Sequence, residues 1–311
     1  MNIETRLAWR NVWRNPRRTA LSVAATVFAV FLVVLSVGMA TGVHEKMIDD
    51  AVGLASGHIA ISGKGYRDSQ TLEQFVPWDG RVEAVLANLE DLEGWAPRIT
   101  SFALLSLGDS SRGGMIIGVD PAREAGVTMF SRKVYEGRFV AETKSENTRE
   151  VVLGRKMADK LNAKIGDEVL LYGVAYSLET AYELFTVVGT LALPDPRLER
   201  NLAIVHIEDA AEFYTYEDRI TEVAILAVDA DHTNGLRDSI LAALGPELGA
   251  VLEVQGYEKM MPELVQLILI DDAGMYIMLV ILIVVVGFGI LNTILMAILE
   301  RTRELLSLIH I

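Results

Sequence analysis

The chain has 311 residues, 51% of them hydrophobic, with a mean hydropathy of +0.32 and a formal net charge of −14. It contains no cysteine, which excludes a disulfide framework, a thiol nucleophile, a thiolate metal site and an iron–sulfur cluster. The acid is concentrated in the middle: residues 44–272 hold 21 basic and 39 acidic side chains, a balance of −18 that repels a phosphate backbone and argues against nucleic acid as a partner.

Residues 1–18 carry five arginines against one glutamate. Arg6, Arg10 and Arg14 recur every four residues, and Trp9, Val12 and Trp13 fall on the neighbouring face, a pattern that predicts a short basic helix lying in the membrane interface. Pro16 stops or kinks it. A basic cluster that serves topology alone explains the same charges. Residues 19–43 are uncharged and, as a helix, cover about 36 Å, enough to cross the hydrocarbon core. This run is longer than the roughly 7–15 residues of a signal-peptide core, and no A-x-A cleavage site follows, so it reads as an uncleaved anchor.

Residues 44–272 form a folded domain of α+β type. Strand-like runs occur at 58–62, 114–119, 150–153, 168–172, 184–191, 203–206, 222–228 and 251–254, with helical patterns at 81–92, 155–162, 208–214, 233–244 and 258–270. Short strands punctuated by Gly154, Gly166, Gly173 and Gly189 crowd residues 140–200. They suggest a strand-rich subdomain at about 121–200, inserted between mixed α/β parts at about 44–120 and 201–272. With neither glycine nor proline between Glu263 and Ile270, the last helix is expected to run into the next span and act as a rigid lever.

Residues 273–299 are a second uncharged run, apolar around its whole circumference and therefore a second span. Arginines before the first span and Arg301 and Arg303 after the second, against Glu45, Asp49, Asp50, Asp271 and Asp272 on the other side, place both ends in the cytoplasm. The predicted architecture is a membrane protein of the bacterial inner membrane, with two transmembrane α-helices flanking a large α+β extracytoplasmic domain that has a strand-rich inserted subdomain. Residues 300–311 begin a cytoplasmic segment.

Catalytic, cofactor and metal sites are all expected to be absent. The five histidines, His44, His58, His206, His232 and His310, lack any ligand spacing. The run GHIAISGKG resembles a phosphate loop only superficially, and Gly57, Gly63 and Gly65 read as turn residues beside a strand. Within the second span, Gly287 and Gly289 permit close helix packing, and Asn292 with Thr293 predicts a polar helix–helix contact. A water-filled crevice, or capping of the backbone by Thr293, would account for the polar pair equally.

Three stretches resemble the permease subunits of macrolide-export and lipoprotein-release ABC transporters: LAWRNVWRNPRRTALS (7–22), GHIAISGKGY (57–66) and GILNTILMAILERTRE (289–304). GVDP (118–121), EGRF (136–139) and LGRKMADKLNAKIGDEVLL (153–171) are similar to the family's external core domain. The resemblance implies a non-catalytic permease that pairs with a second permease subunit, as a homo- or heterodimer, and binds a cytoplasmic ABC ATPase. It implies work on lipoproteins, peptides or other amphiphiles at the outer leaflet, with a periplasmic carrier or adaptor as a further partner. It places the ATPase-coupling surface at Glu300, Arg301, Thr302, Arg303 and Glu304, joined by Arg6, Arg10 and Arg14. The family continues past this point into a coupling helix and two more spans, so the sequence is expected to be C-terminally truncated. Two other readings of the same topology are a two-span receptor with an external sensor domain and a membrane-anchored hydrolase.

Overall fold

The computed structural model describes residues 16–89, 91–144, 148–228 and 233–309. The basic segment with Arg6, Arg10, Arg14, Trp9, Val12 and Trp13 lies outside the described residues, as do His232 and His310.

Helices are α1 (Pro16–Ala55), α2 (Tyr66–Ser69), α3 (Arg81–Ala87), α4 (Pro121–Glu124), α5 (Arg155–Leu161), α6 (Pro196–Asn201), α7 (Ile207–Tyr214), α8 (Thr233–Val251), α9 (Tyr257–Met260) and α10 (Pro262–Ile309). Strands are β1 (Ile59–Gly63), β2 (Val76–Pro77), β3 (Leu92–Leu107), β4 (Ser110–Val119), β5 (Val134–Gly137), β6 (Glu150–Gly154), β7 (Glu168–Val174), β8 (Thr180–Leu191), β9 (Leu202–His206), β10 (Arg219–Ile220), β11 (Glu222–Ala227) and β12 (Leu252–Gly256). They form two compact units. One holds α1 up to Ile48 together with α10 from Glu263; the other runs from Asp49 to Pro262.

In the helical unit, both predicted spans sit inside longer helices of 40 and 48 residues, each long and apolar enough to cross a membrane. Pro16 opens α1, where a missing N–H costs nothing. Hydroxyls within the apolar run are satisfied by the helix itself: Thr26 Oγ1 donates to the Ser22 carbonyl at 2.9 Å and Thr41 Oγ1 to that of Val37 at 3.0 Å. Large apolar side chains such as Phe28, Phe31, Ile281 and Phe288 point away from the chain, as side chains meant for lipid or another helix must.

The second unit is a mixed α/β body around one extended sheet. Its strand order is β12-β1-β11-β3-β4-β9-β6-β8-β5, with β7 bonded to both β3 and β8. The pairs β3–β4, β4–β9, β9–β6, β6–β8, β8–β7 and β7–β3 therefore close a ring of six strands, of which β4–β9 and β6–β8 are parallel and the rest antiparallel. Inward side chains of the ring, including Leu105, Ile116, Val151, Leu153, Val169, Leu171, Phe185 and Val205, share one apolar cluster with Ile59, Ile61, Val223 and Ile225 of the open flank. Closure pairs both sides of every strand in the ring, and β12 and β5 remain as the ends of the sheet. Residues 121–200 supply β5 to β8, and three of those strands belong to the ring.

Most predicted strands lie within a few residues of observed ones. The short β2, β5 and β10 and the long β3 have no counterpart among the predicted runs; β3 alternates only at its far end, because Ala96 to Ile99 are buried while the strand passes from β11 to β4 and β7. The helix predicted over 81–92 ends at Ala87, and Leu92 already belongs to β3. The helix predicted over 258–270 is broken: Met261 leaves the helical region (φ −128°, ψ 62°) and Pro262, which lacks an N–H, starts a new helix that then runs without interruption to Ile309. The helix predicted over 233–244 stops at Gly245 (φ 70°, ψ 177°), where the two halves of α8 meet at a kink.

Candidate functional site

Family-like motifs in the domain turn out to build turns and caps. In GVDP, Asp120 Oδ1 accepts from the Ala122 and Arg123 amides at 3.1 and 3.3 Å, and Pro121 sits at the first position of α4. In GHIAISGKGY, Gly57 (φ 68°) and Gly65 (φ 80°) bracket β1 in left-handed turns, as the turn reading required, and a Cβ on Gly57 would meet the Ile225 carbonyl oxygen at 2.5 Å. In EGRF, Arg138 forms a forked ion pair with Glu150 that holds the carboxylate below its ordinary range, through the Arg138 hydrogen bonds first.

Two charge clusters tie the domain together. Arg98 and Glu124 are both 1% exposed; Arg98 Nε lies 3.0 Å from Glu124 Oε2 and its Nη2 2.5 Å from Oε1, which also accepts from Thr128 Oγ1 at 2.6 Å. Burial opposes the charge on Arg98, but Glu124 outweighs it and the guanidinium is held more firmly protonated. In the second, Lys144 and Arg149 converge on Glu212 and the buried Asp209, with Arg149 Nη1 also 3.3 Å from Glu183. Burial raises Asp209 despite its cationic neighbours, whereas the Lys144 hydrogen bond lowers Glu212.

The helical unit holds the residues expected to bind other helices and the ATPase. A cavity of about 440 Å³, almost wholly apolar, lies between α1 and α10 and is lined by Thr26, Ala29, Val33, Leu282, Val286 and Gly287 among others. Of the four predicted contact residues, only Gly287 reaches this lining. Asn292 is exposed, Thr293 lies in the same helix, and a Cβ on Gly287 or Gly289 would meet nothing within 4 Å, so α1 does not press on either glycine. Glu300, Arg301, Thr302, Arg303 and Glu304 lie in the last turns of α10.

Sequence reading missed a polar junction in this unit. His44 Nε2 lies 2.9 Å from Asp271 Oδ2 and Nδ1 3.6 Å from Asp272 Oδ1, so one imidazole of α1 meets two carboxylates of α10 across 227 positions of sequence. A cavity of about 570 Å³ beside it is lined by Ser36, Met47, Met275 and Met278. The signal was present: the histidine ends one uncharged run and the aspartates open the other, which puts them at one depth in any two-span arrangement. His58 and His206 have structural roles, with His58 Nδ1 accepting from the Ala227 amide at 3.1 Å and His206 capping α7.

Residues 19–243 match the family described as MacB-like periplasmic core domain. The chain belongs to this family. Among curated relatives of this MacB-like chain, the lipoprotein-releasing system transmembrane protein LolC of Neisseria meningitidis is 23% identical over 215 residues, 68% of this chain and 51% of the relative. The lipoprotein-releasing system transmembrane protein LolE of Haemophilus influenzae is 26% identical over 233 residues, 72% of this chain and 53% of the relative. The chain thus spans about half the length of the curated relatives it matches. Among solved structures, the periplasmic region of MacB from Actinobacillus actinomycetemcomitans aligns with a TM-score of 0.49 at 15% identity, over 70% of this chain and 97% of that one. The extracellular domain of the ABC-type transporter YknZ from Gram-positive bacteria aligns at 0.45 and 13%, over 64% and 99%. The permease family read from the three sequence stretches is thereby met, and the mixed α/β domain between two apolar helices is its MacB-like core.

Proposed function

We propose that this chain is a permease subunit of an ABC transporter of the MacB and LolC type, set in the bacterial inner membrane with its amino terminus in the cytoplasm and residues 44–272 outside. The observation that carries the reading is the family match across residues 19–243, which takes in the first apolar helix and most of the α/β body in one continuous alignment. On this reading a cytoplasmic ABC ATPase engages Glu300, Arg301, Thr302, Arg303 and Glu304, with Arg6, Arg10 and Arg14 on the same side. A second permease subunit packs against the α10 face of Gly289, Asn292 and Thr293; Asn292, exposed on its own chain, supports this, since an amide in hydrocarbon needs a partner from another helix. Residues 121–200 act as a strand-rich insert of the external domain, and the cargo is a lipoprotein, peptide or other amphiphile.

Arginine-to-lysine exchange separates coupling from topology, because it keeps the positive charge and loses the bidentate fork. Arg301→Lys with Arg303→Lys is expected to leave membrane insertion and abundance unchanged and to reduce co-purification of the ATPase from membranes. Undiminished co-purification refutes the coupling assignment. A reporter fused after Asp120 is expected outside and one after Glu304 inside; a cytoplasmic signal at Asp120 refutes the orientation.

A further inference from the structure

The outer face of the β3–β7–β8 sheet is apolar where a solvated sheet face is ordinarily polar. Register places Leu104 opposite Tyr172 and Tyr172 opposite Tyr182, with Leu170 opposite Leu184 one row away. Phe102, Leu104, Tyr172, Val174, Tyr182 and Leu184 are all exposed there. An apolar patch of this continuity on one face marks a binding surface rather than scattered exposure.

The face descends into a groove of about 580 Å³, within the size range of sites that enclose small ligands. Gly113 opens it, since a Cβ there would meet nothing within 4 Å; Gly114 and Gly173 also line it, although a Cβ on either would point into the core, against Met157 and Leu105 or against Phe213. Phe102, Leu104 and Val174 form the apolar part, and Thr71, Glu73, Ser101, Tyr172 and Tyr176 add polar atoms, with Glu73 the only charged group in the lining. At the tip of the β7–β8 hairpin, Leu178 also lines the groove while 81% exposed, and it is held in the left-handed region (φ 64°). A leucine that is both solvated and in a disfavoured backbone state is a double cost, of the kind that gathers at ligand sites.

We propose that this groove binds a cationic amphiphile, taking its hydrocarbon body against Phe102, Leu104, Val174 and Leu178 and its ammonium group beside Glu73 and the phenol ring of Tyr172. Charge complementarity selects the sign: Arg219 already stacks on Tyr176, 4.8 Å from its ring centroid, which leaves Glu73 and the exposed Tyr172 ring as a carboxylate beside an aromatic face, the chemistry that holds an ammonium, and the surplus of −18 over residues 44–272 draws cations to the domain. The inference goes beyond the permease reading, and its test needs no ATPase, so the two fail separately.

The test uses the full chain in phosphatidylcholine nanodiscs and a dodecyltrimethylammonium probe bearing a photoreactive diazirine in its chain, with cross-links mapped by mass spectrometry. Labelling is expected in the peptides carrying Phe102 to Leu104 and Tyr172 to Leu178, and a matching dodecyl sulfate probe is expected to label them at least tenfold less. Gly113→Trp, which fills the groove from an open position, is expected to reduce labelling by tenfold or more at unchanged circular dichroism. Glu73→Gln is expected to reduce it several-fold for the ammonium probe alone. Leu104→Ser, at an exposed position, provides the same comparison if Gly113→Trp folds poorly. Equal labelling of wild type and both groove variants, labelling confined to α1 and α10, or equal labelling by the sulfate probe overturns the proposal. So does a groove already covered by a second copy, seen as a dimer that Gly113→Trp converts to monomer.

Discussion

Removing one member of the buried Arg98–Glu124 pair is expected to be among the most damaging single changes in the domain. Arg98→Met leaves the Glu124 carboxylate, 1% exposed, with the Thr128 hydroxyl as a close donor and, among the described residues, no cation paired with it. Stranding a buried charge in this way costs about 3–5 kcal/mol. For a unit running from Asp49 to Pro262, each kcal/mol lowers the unfolding midpoint by roughly 2–4 °C, so the expected drop is about 6–20 °C. The double variant Arg98→Met/Glu124→Leu removes both charges at similar volume and is expected to recover most of the loss, within about 1 kcal/mol of wild type. Thermolysin digestion over a temperature series, following survival of a fragment covering residues 49–262 in detergent micelles, measures both. A single variant that melts within 2 °C of wild type, or a double variant as unstable as the sum of the two single changes, would refute the argument that the pair matters through its uncompensated partner.

The Arg138–Glu150 pair gives a pH signature. Glu150 is lowered from its ordinary value of 4.5, so its stabilisation is complete above that value and is lost as the pH falls through the lowered one. Glu150→Gln should therefore unfold more easily than wild type near pH 6, by no more than about 1 kcal/mol for so exposed an arginine, and the gap should narrow as the pH falls below 4.5; a gap that does not narrow on acidification contradicts the assignment. Gly57→Ala forces a Cβ to 2.5 Å from the Ile225 carbonyl in a left-handed turn, and a loss of more than about 1 kcal/mol is expected in the same digestion assay. Leu178→Gly relieves a left-handed leucine that packs little, so the domain should gain up to about 1 kcal/mol; a loss would show that Leu178 is packed. His44→Ala removes the imidazole between Asp271 and Asp272, and disulfide trapping between Val43→Cys and Met275→Cys, both lining one cavity, should slow at least twofold; an unchanged rate means that the histidine does not hold the helices.

Much of this architecture was legible because lipid and water impose different patterns. Two uncharged runs declared the long helices without any need for pairing information, and β1, β4, β6, β7, β8, β9 and β11 carried the branched residues and flanking glycines by which strands announce themselves. β3 escaped because a strand shared by three neighbours is buried irregularly along its length, and its Gly94 and Pro97 look like breakers in isolation. Closure of the ring was also invisible, since β7 returning to β3 is a fact of register between residues some 65 apart, as in Leu105 against Leu171. The candidate site residues divide in the same way. Charges around the spans could be read as patterns, whereas the groove at Gly113 exists only where side chains from four separate stretches of chain leave a space.

The strands nearest the two long helices set how the domain would yield to force. β1 follows α1, β12 leads through α9 to α10, and the two strands pair antiparallel with Ile59 against Gly256 as the rung next to both connections; the Tyr257 amide adds a further bond to the His58 carbonyl at 2.9 Å. A load that parts the two segments arrives at that one rung and opens the ladder bond by bond, like a zip, toward Gly63 and Leu252. A load shared equally by the two segments leaves the ladder unstressed and carries the domain as a single body. The protein is therefore soft against separation of its two connections and stiff against their joint displacement.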